Sequence, residues 1–432
     1  MSQYRAYPAY KDSGVEWIGQ VPEHWKVARV KRLASLRNER RNDVSTDTIY
    51  IGLEDVEAGS GQYKPTNGSS RQSEDSTVGI FYEGDVLYGK LRPYLRKAII
   101  SEMAGCCSTE FLVLRAEKTE PRWLQEWLLT PDVTHQIESG CEGAKMPRAD
   151  WGHIGSIEVV YPDQPEQAKI LTSLDRETAR IDALIEKKTR FIELLKEKRQ
   201  ALITHAVTKG LDRNAKMKDS GIEWIGQVPE EWLNRKVFHA FQAIGSGTTP
   251  PAKEHEWYQG GTIPWITTSE LRENTVVKTK KCVTSDAMQK FSALKIFPAG
   301  SLAIAMYGAT IGRLGFLGIP ATTNQACCVL SGERDLNIQF LYYWLMAFRA
   351  DIVAFFSEGG GQPNINQEVI ASLRVPSPAS DEQATIVATL DRETARIDAL
   401  ISKAEQSITL LKERRAAFIT AAVTGQIDLR GK

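Results

Sequence analysis

The chain has 432 residues, 42% of them apolar and 25% charged, with 54 Lys+Arg against 54 Asp+Glu. That length accommodates roughly two to four domains, and the composition excludes a disordered, collagen-like or purely coiled-coil chain. Zero formal net charge excludes a uniformly basic protein, though not local basic faces.

The chain opens with MSQYRAYPAYKDSG, which has no apolar stretch of a secretory leader. The longest apolar run, FLYYWLMAF at 340–348, falls short of the ~20 residues of a membrane span. A soluble, cytoplasmic protein without membrane contact is expected. Residues 11–25, KDSGVEWIGQVPEHW, recur at 218–232 as KDSGIEWIGQVPEEW, an offset of 207. The segment 26–41 then carries seven Lys/Arg against one Glu. Short β-like runs follow, TIYIGL, DVLYG, FLVLR and SIEVVYP, bounded by Gly, Asn, Pro and Ser. A helical stretch is predicted near 121–139, with Trp123 and Trp127 as core residues.

From Asp163 to Gly210 no Gly follows and the only Pro falls at the start, so one helix of ~43 residues, or ~65 Å, is predicted. Asp163-x-x-Glu166 fits a capping box at its start, and Ser380-x-x-Gln383 fits one before a second such helix ending at Gly425. Residues 174–185 and 390–401 both read LDRETARIDALI, an offset of 216. The apolar steps alternate three and four, the heptad pattern. The candidate seam is Leu174, Ile181, Ile185, Ile192, Leu195, Leu390, Ile397, Ile401, Ile408 and Leu411, interrupted by Lys188, Arg199 and Arg415. Two such stripes in one repeated chain most easily pair antiparallel; the alternative is a buried amphipathic helix in each lobe. Between the shared ends the two interiors diverge, the second being nine residues longer, with SLAIAMYG as a strand and 336–357 as its helical stretch (Phe340 and Trp344 in the core).

The predicted fold class is therefore α+β: two α/β modules separated by two long helices that pair as an antiparallel coiled coil, with pseudo-two-fold symmetry. The segments are 1–25, a first module 26–161, a central helix 162–210, a linker 211–232, a second module 233–376 and a C-terminal helix 377–432.

No catalytic residues emerge. There is no phosphate loop, no G-x-S-x-G elbow and no N-P-P-Y or D-P-P-Y tetrapeptide. Pro162-Asp163 followed by Glu186-Lys187-Lys188 imitates a metal nuclease, but Glu186 and Lys188 fall mid-helix and the second copy has neither acid. Six cysteines without a C-x-x-C, and six histidines without H-x-x-x-H, give no metal site. The adjacent pairs Cys106–Cys107 and Cys327–Cys328 read as reduced, partly buried thiols.

Basic residues interleaved with Tyr and Gly suit a surface that meets phosphates and base edges. In the first module the DNA-binding candidates are Tyr88, Lys90, Arg92, Tyr94, Arg96, Lys97, Lys145 and Arg148. In the second they are Thr248, Thr249, Tyr307, Thr310, Arg313, Gln362, Asn364 and Asn366, with Lys278, Lys280 and Lys281 nearby. Amides pair with adenine, and threonine touches a thymine methyl.

The frame resembles the specificity subunit of type I restriction-modification enzymes. The residues that carry this are SGVEWIGQVPEHW, YIGLEDVEAGSGQ, GDVLYGKLRPYLRKA, CSTEFLVLR, GAKMPRADW and EQAKILTSLDRETARIDALI, then MYGATIGR, TTNQACCVL, GGGQPNINQ and the second LDRETARIDALI. The resemblance implies two target recognition domains, each reading half of a bipartite, asymmetric double-stranded DNA target. It also implies conserved helices that set their separation and dock two modification (methyltransferase) subunits, with restriction (endonuclease/translocase) subunits joining. This chain would be non-catalytic and bind no cofactor; S-adenosylmethionine, ATP and Mg would belong to the partner subunits. The alternative is a non-catalytic scaffold or adaptor that binds RNA or partner proteins through its basic faces.

Overall fold

A computed structural model describes residues 5–45, 47–66, 76–143, 145–357 and 364–431. It divides into two compact units, Met1–Thr189 with Glu405–Lys432, and Arg190–Ala404. The boundaries fall inside both long helices, so each unit holds a segment of each helix.

In the first unit an antiparallel hairpin, Tyr10–Asp12 with Gln20–Pro22, precedes the module. Strands Lys26–Arg29 and Glu158–Tyr161 pair antiparallel and tie the module's two ends together. Between them lie two four-stranded sheets. One orders Ala34–Leu36, Phe111–Ala116, Val86–Gly89 and Ala98–Ile100; the other orders Arg40–Arg41, Val78–Phe81, Gly105–Cys107 and Tyr50–Ile51. Val86–Gly89 is buried along its whole length, as an internal strand covered on both faces must be. The stretch 121–139 forms two helices, Pro121–Leu128 and Pro131–Ser139. Pro131 has no N–H and would clash inside a continuous helix, whereas at a first helical position it is favoured. Trp127, Leu128, Ile137 and Ile154 close over Val86 and Leu114 in the core.

The second unit repeats this plan. Met217–Asp219 pairs with Gln227–Pro229, and Leu233–Lys236 with Arg374–Ser377. A five-stranded and a three-stranded sheet follow. Residues 336–357 also split, into Ile338–Ala347 and Arg349–Phe356. Phe348 at the break stacks its ring edge-on against Trp224, 5.2 Å between centroids. Trp123, Trp127, Phe340 and Trp344 are all buried, and so are both cysteine pairs, as free thiols. Burial pushes Cys107, Cys327 and Cys328 up to about 12, so these thiols stay protonated and unreactive at neutral pH.

The long helices run Gln164–Lys209 and Ser380–Val423. At the first start, Asp163 Oδ1 accepts from the Glu166 amide at 3.0 Å. The reciprocal half of the box is absent. The Glu166 side chain instead accepts from Tyr7 Oη at 3.0 Å and from Trp25 Nε1 at 3.2 Å, and meets His24 Nε2 at 2.7 Å. A fully buried indole N–H needs an acceptor, and Glu166 supplies it. The second start differs from its expected box too. Gln383 donates to the carbonyls of Pro378 and Asp335 and accepts from the Asn337 amide. Gln167 plays a similar part in the first unit, donating to the Pro162 carbonyl and accepting from the Thr119 hydroxyl and the Glu120 amide.

Within the first unit Ile170, Leu171 and Leu174 share a cluster with Phe418, Ile419 and Ala422, while further along Asp182 meets Arg415. Within the second, Ile203, Ala206 and Val207 share a cluster with Ile386, Val387 and Leu390, and Arg199 meets Asp398. In both cases one helix ascends as its partner descends, so the pairing is antiparallel. Of the seam residues, Leu174, Ile181, Ile192, Leu195, Leu390 and Ile397 are buried, and Ile185, Ile401, Ile408 and Leu411 are half-buried. Of the three polar interruptions, Arg199 and Arg415 make the two ion pairs, and Lys188 is half-buried.

Candidate nucleic-acid interface

In the first module the chain leaves strand Val86–Gly89, makes one 3-10 turn at Pro93–Leu95 and returns as Ala98–Ile100. The loop is closed by Gly89 N–H to Lys97 O at 2.8 Å and Leu95 N–H to Arg92 O at 2.9 Å. Its outer edge is fixed to two other segments. The Lys90 amide donates to Glu110 O, the Arg92 amide to Pro147 O, and the Ala149 amide to Lys90 O, each at 2.8–2.9 Å. Leu91 and Arg148 form an isolated bridge. Thus the backbone gathers 90–97, 110 and 145–149 into one surface.

The second module builds a corresponding surface, with four of these bonds repeated 216 residues later. Ala305 N–H binds Arg313 O, Ile311 N–H binds Gly308 O, the Met306 amide binds Ala326 O, and the Ile365 amide binds Met306 O. Tyr307 and Asn364 form the bridge. Asp150 caps helix Trp151–Ser156 by accepting from the His153 amide, and Asn366 caps Gln367–Ser372 by accepting from the Val369 amide. One backbone frame is present twice; the side chains on it differ.

The structure separates the sequence candidates. Lys90, Arg92, Tyr94, Lys145 and Arg148 lie on the gathered surface, Lys90 half-buried and the others exposed. Tyr88 does not belong with them: it is fully buried in the module core, because it falls on the internal strand before the loop begins. Burial raises its hydroxyl above the usual tyrosine range. Lys97 Nζ is bound to Leu53 O at 2.6 Å, and Arg96 Nη1 reaches Leu129 O at 3.4 Å, so both side chains are turned to the protein. The basic run 26–41 is likewise no single face. It breaks into three strands, and Arg37 is locked to the buried carboxylate of Asp85 by Nε–Oδ2 at 2.7 Å.

In the second module Tyr307 and Asn364 are exposed across their bridge. Thr310, half-buried, donates to the Tyr307 carbonyl, and Arg313 is half-buried. Thr249 is exposed and donates to Gln325 Oε1 at 2.5 Å; Thr248 uses its carbonyl to accept from Trp265 Nε1. Asn366 is exposed, but its Oδ1 is occupied as a helix cap. Gln362 lies outside the described residues. Lys278, Lys280 and Lys281 are exposed, Lys281 5.6 Å from the ring centre of Tyr258.

Two residues of these surfaces were not among the sequence candidates. Glu110 holds Arg148 bidentately, Nη2–Oε1 3.0 Å and Nε–Oε2 3.2 Å, which raises the Arg148 guanidinium further above its ordinary value. Gln325 holds Thr249. The 216-residue offset could have found Glu110, because it superposes that acid on Ala326 in an otherwise matching frame. Among the described residues no group of His, Cys, Asp and Glu is placed to hold a metal ion, and no helix is long and apolar enough to cross a membrane.

Residues 229–410 match the family model described as the type I restriction modification DNA specificity domain. The EcoR124I/EcoR124II specificity subunit of Escherichia coli is 25% identical over 247 residues, 55% of this chain and 55% of that protein. The chain thus spans about half the length of that curated relative. A putative type I restriction enzyme MjaX specificity subunit of Methanocaldococcus jannaschii is 23% identical over 96% of both chains. A solved chain from a study of the assembly and conformational transition of a type I R-M system aligns with a TM-score of 0.69. It is 18% identical, over 95% of this chain and 99% of that one. The HsdS subunit of Thermoanaerobacter tengcongensis aligns with a TM-score of 0.56 at 18% identity, over 94% and 98%. Both show the same fold.

Proposed function

We propose that this chain, which belongs to the type I restriction-modification specificity-subunit family, recognises an asymmetric bipartite sequence in double-stranded DNA and directs its partner subunits there. The observation that carries this reading is the backbone frame built twice with different side chains. Arg148, Glu110 and Arg92 of one module stand where Asn364, Ala326 and Gly308 stand in the other. Matching loop frames hold the two surfaces, and different surfaces read different half-sites.

The modules are the target recognition domains, 26–161 and 233–376. The partners are two modification subunits, which bring S-adenosylmethionine and methylate adenine, and restriction subunits, which bring ATP and Mg. This chain contributes recognition and no bond-making chemistry. Its exposed Lys side chains set register on the phosphates, and its exposed Arg and other polar groups are available to phosphates or base edges. Family membership leaves the RNA or protein adaptor alternative without support.

The test is methylated-base sequencing of DNA from cells that carry this chain and its modification subunits, against cells lacking this chain. A single bipartite motif with unlike halves and a fixed gap is expected. Methylation that is absent, or independent of this chain, would refute the reading.

A further inference from the structure

Among the described residues, three that are not glycine have φ in the left-handed region: Arg92 at 53°, Arg96 at 49° and Glu273 at 54°. A side chain there crowds the following carbonyl, and such strain persists only where the surroundings over-determine it. For two of them the compensation is visible. Arg96 reaches the Leu129 carbonyl, and its guanidinium lies against Gly59. Glu273 is ion-paired with Arg349. Arg92 is exposed, and its side chain has no hydrogen-bond or ion-pair partner among the described residues. It also precedes Pro93, whose ring disfavours helical conformations at the residue before it.

The second module shows what this backbone prefers. Gly308 and Gly312 stand 216 residues beyond Arg92 and Arg96, with φ of 64° and 73°. The frame needs left-handed residues at both places, and glycine meets that need without strain. Arginine at 92 therefore contributes nothing to folding that glycine would not. The loop that carries it is held rigid by the Lys90, Arg92, Leu95 and Ala149 amides.

We propose that Arg92 is a specificity-determining residue of the first module, presenting its guanidinium to the O6/N7 edge of a guanine in that module's half-site. A phosphate contact would be served by any flexible cation, such as neighbouring Lys90 or Lys145. A free guanidinium carried on a rigid, strained backbone turn suits the planar, two-acceptor edge of guanine, which it bonds bidentately. The second module, with Gly308 there, reads its half-site without this contact. The inference rests on the DNA-reading function proposed above.

The test uses the chain assembled with its modification subunits and a panel of duplexes in which each target base pair is varied. Arg92→Lys is expected to lose discrimination at one G·C pair of one half-site by roughly 10- to 100-fold. Discrimination elsewhere, and non-specific affinity, should be kept. Arg92→Gly should show the same loss and melt no lower than the wild type. Full discrimination by Arg92→Lys would overturn the assignment and make Arg92 a phosphate contact; so would an unchanged Arg92→Gly. Failure of the wild-type complex to prefer any sequence would instead overturn the functional reading itself.

Discussion

Arg199 Nε lies 3.0 Å from Asp398 Oδ1, and Arg415 Nε lies 3.0 Å from Asp182 Oδ1. Each arginine is 216 residues from the other, and so is each aspartate. The two arginine breaks in the seam are therefore one interaction used twice, each lying within one compact unit. Both pairs are partly exposed, which limits what each contributes to about 0.5–1 kcal/mol. Their value lies in orientation, since a slipped register would leave the charge facing apolar neighbours.

A double-mutant cycle on Arg199 and Asp398 checks this. Arg199→Ala and Asp398→Ala should each lower stability by about 1 kcal/mol or less, with a favourable coupling of about 0.5–1 kcal/mol in chemical denaturation. Zero coupling would make the pair incidental.

Glu126 makes a distinct pH prediction. Its carboxyl is nearly fully buried on helix Pro121–Leu128, and burial pushes its pKa above the ordinary carboxylate range despite the ion pair with Arg122 at 2.5 Å. A carboxyl raised in the folded state binds its proton more tightly there than when unfolded. Its contribution is fully present below the unfolded value of about 4.3 and is lost as pH rises through the folded value. Glu126→Gln should therefore be at least as stable as the wild type at pH 7. Its melting temperature should also fall less between about pH 4 and 7. A Gln variant with the wild-type pH profile would show that Arg122 fully offsets the burial.

Asp428 behaves oppositely. Hydrogen bonds from Arg430 hold its carboxyl below the usual range. Its contribution is present above the unfolded value of about 3.9 and is lost as pH falls through the folded value. Arg430→Ala should thus weaken the chain at neutral pH and shrink the acid-unfolding response below about pH 4. An identical acid response in the variant would remove Asp428 from the account.

Glu110 restrains Arg148 at the candidate interface. Glu110→Ala should raise affinity for duplex DNA of any sequence. It should also steepen the dependence of log K on log salt by roughly one unit, as one more cation meets a phosphate. An unaltered slope would place Arg148 away from the nucleic acid.

Much of this architecture was legible in the sequence because repeats and periodicity are one-dimensional signals. The matching segments at 11–25 and 218–232, and the heptad steps through Ile181 and Ile397, specified two helices and two modules. What the sequence hid was three-dimensional. Tyr88 sits two residues before Lys90 in the same basic-aromatic run, yet it falls on an internal strand and is buried. Glu166 fits a capping box by spacing, but Trp25, distant in sequence, brings an indole N–H that takes its carboxylate. Arg96 and Lys97 look like neighbours of Arg92, and only their side-chain hydrogen bonds to the Leu129 and Leu53 carbonyls reveal that they turn inward. Charge spacing reports composition, not the direction in which a side chain leaves the loop.

The central claim is that each module reads its half-site independently on a common frame. It is tested most directly by replacing residues 233–376 with the corresponding segment of a family relative of different specificity, then mapping methylated bases in cells that carry the modification subunits. The account predicts that one half of the bipartite motif changes to the relative's and the other half is retained. A motif altered in both halves, or unaltered in either, would contradict it.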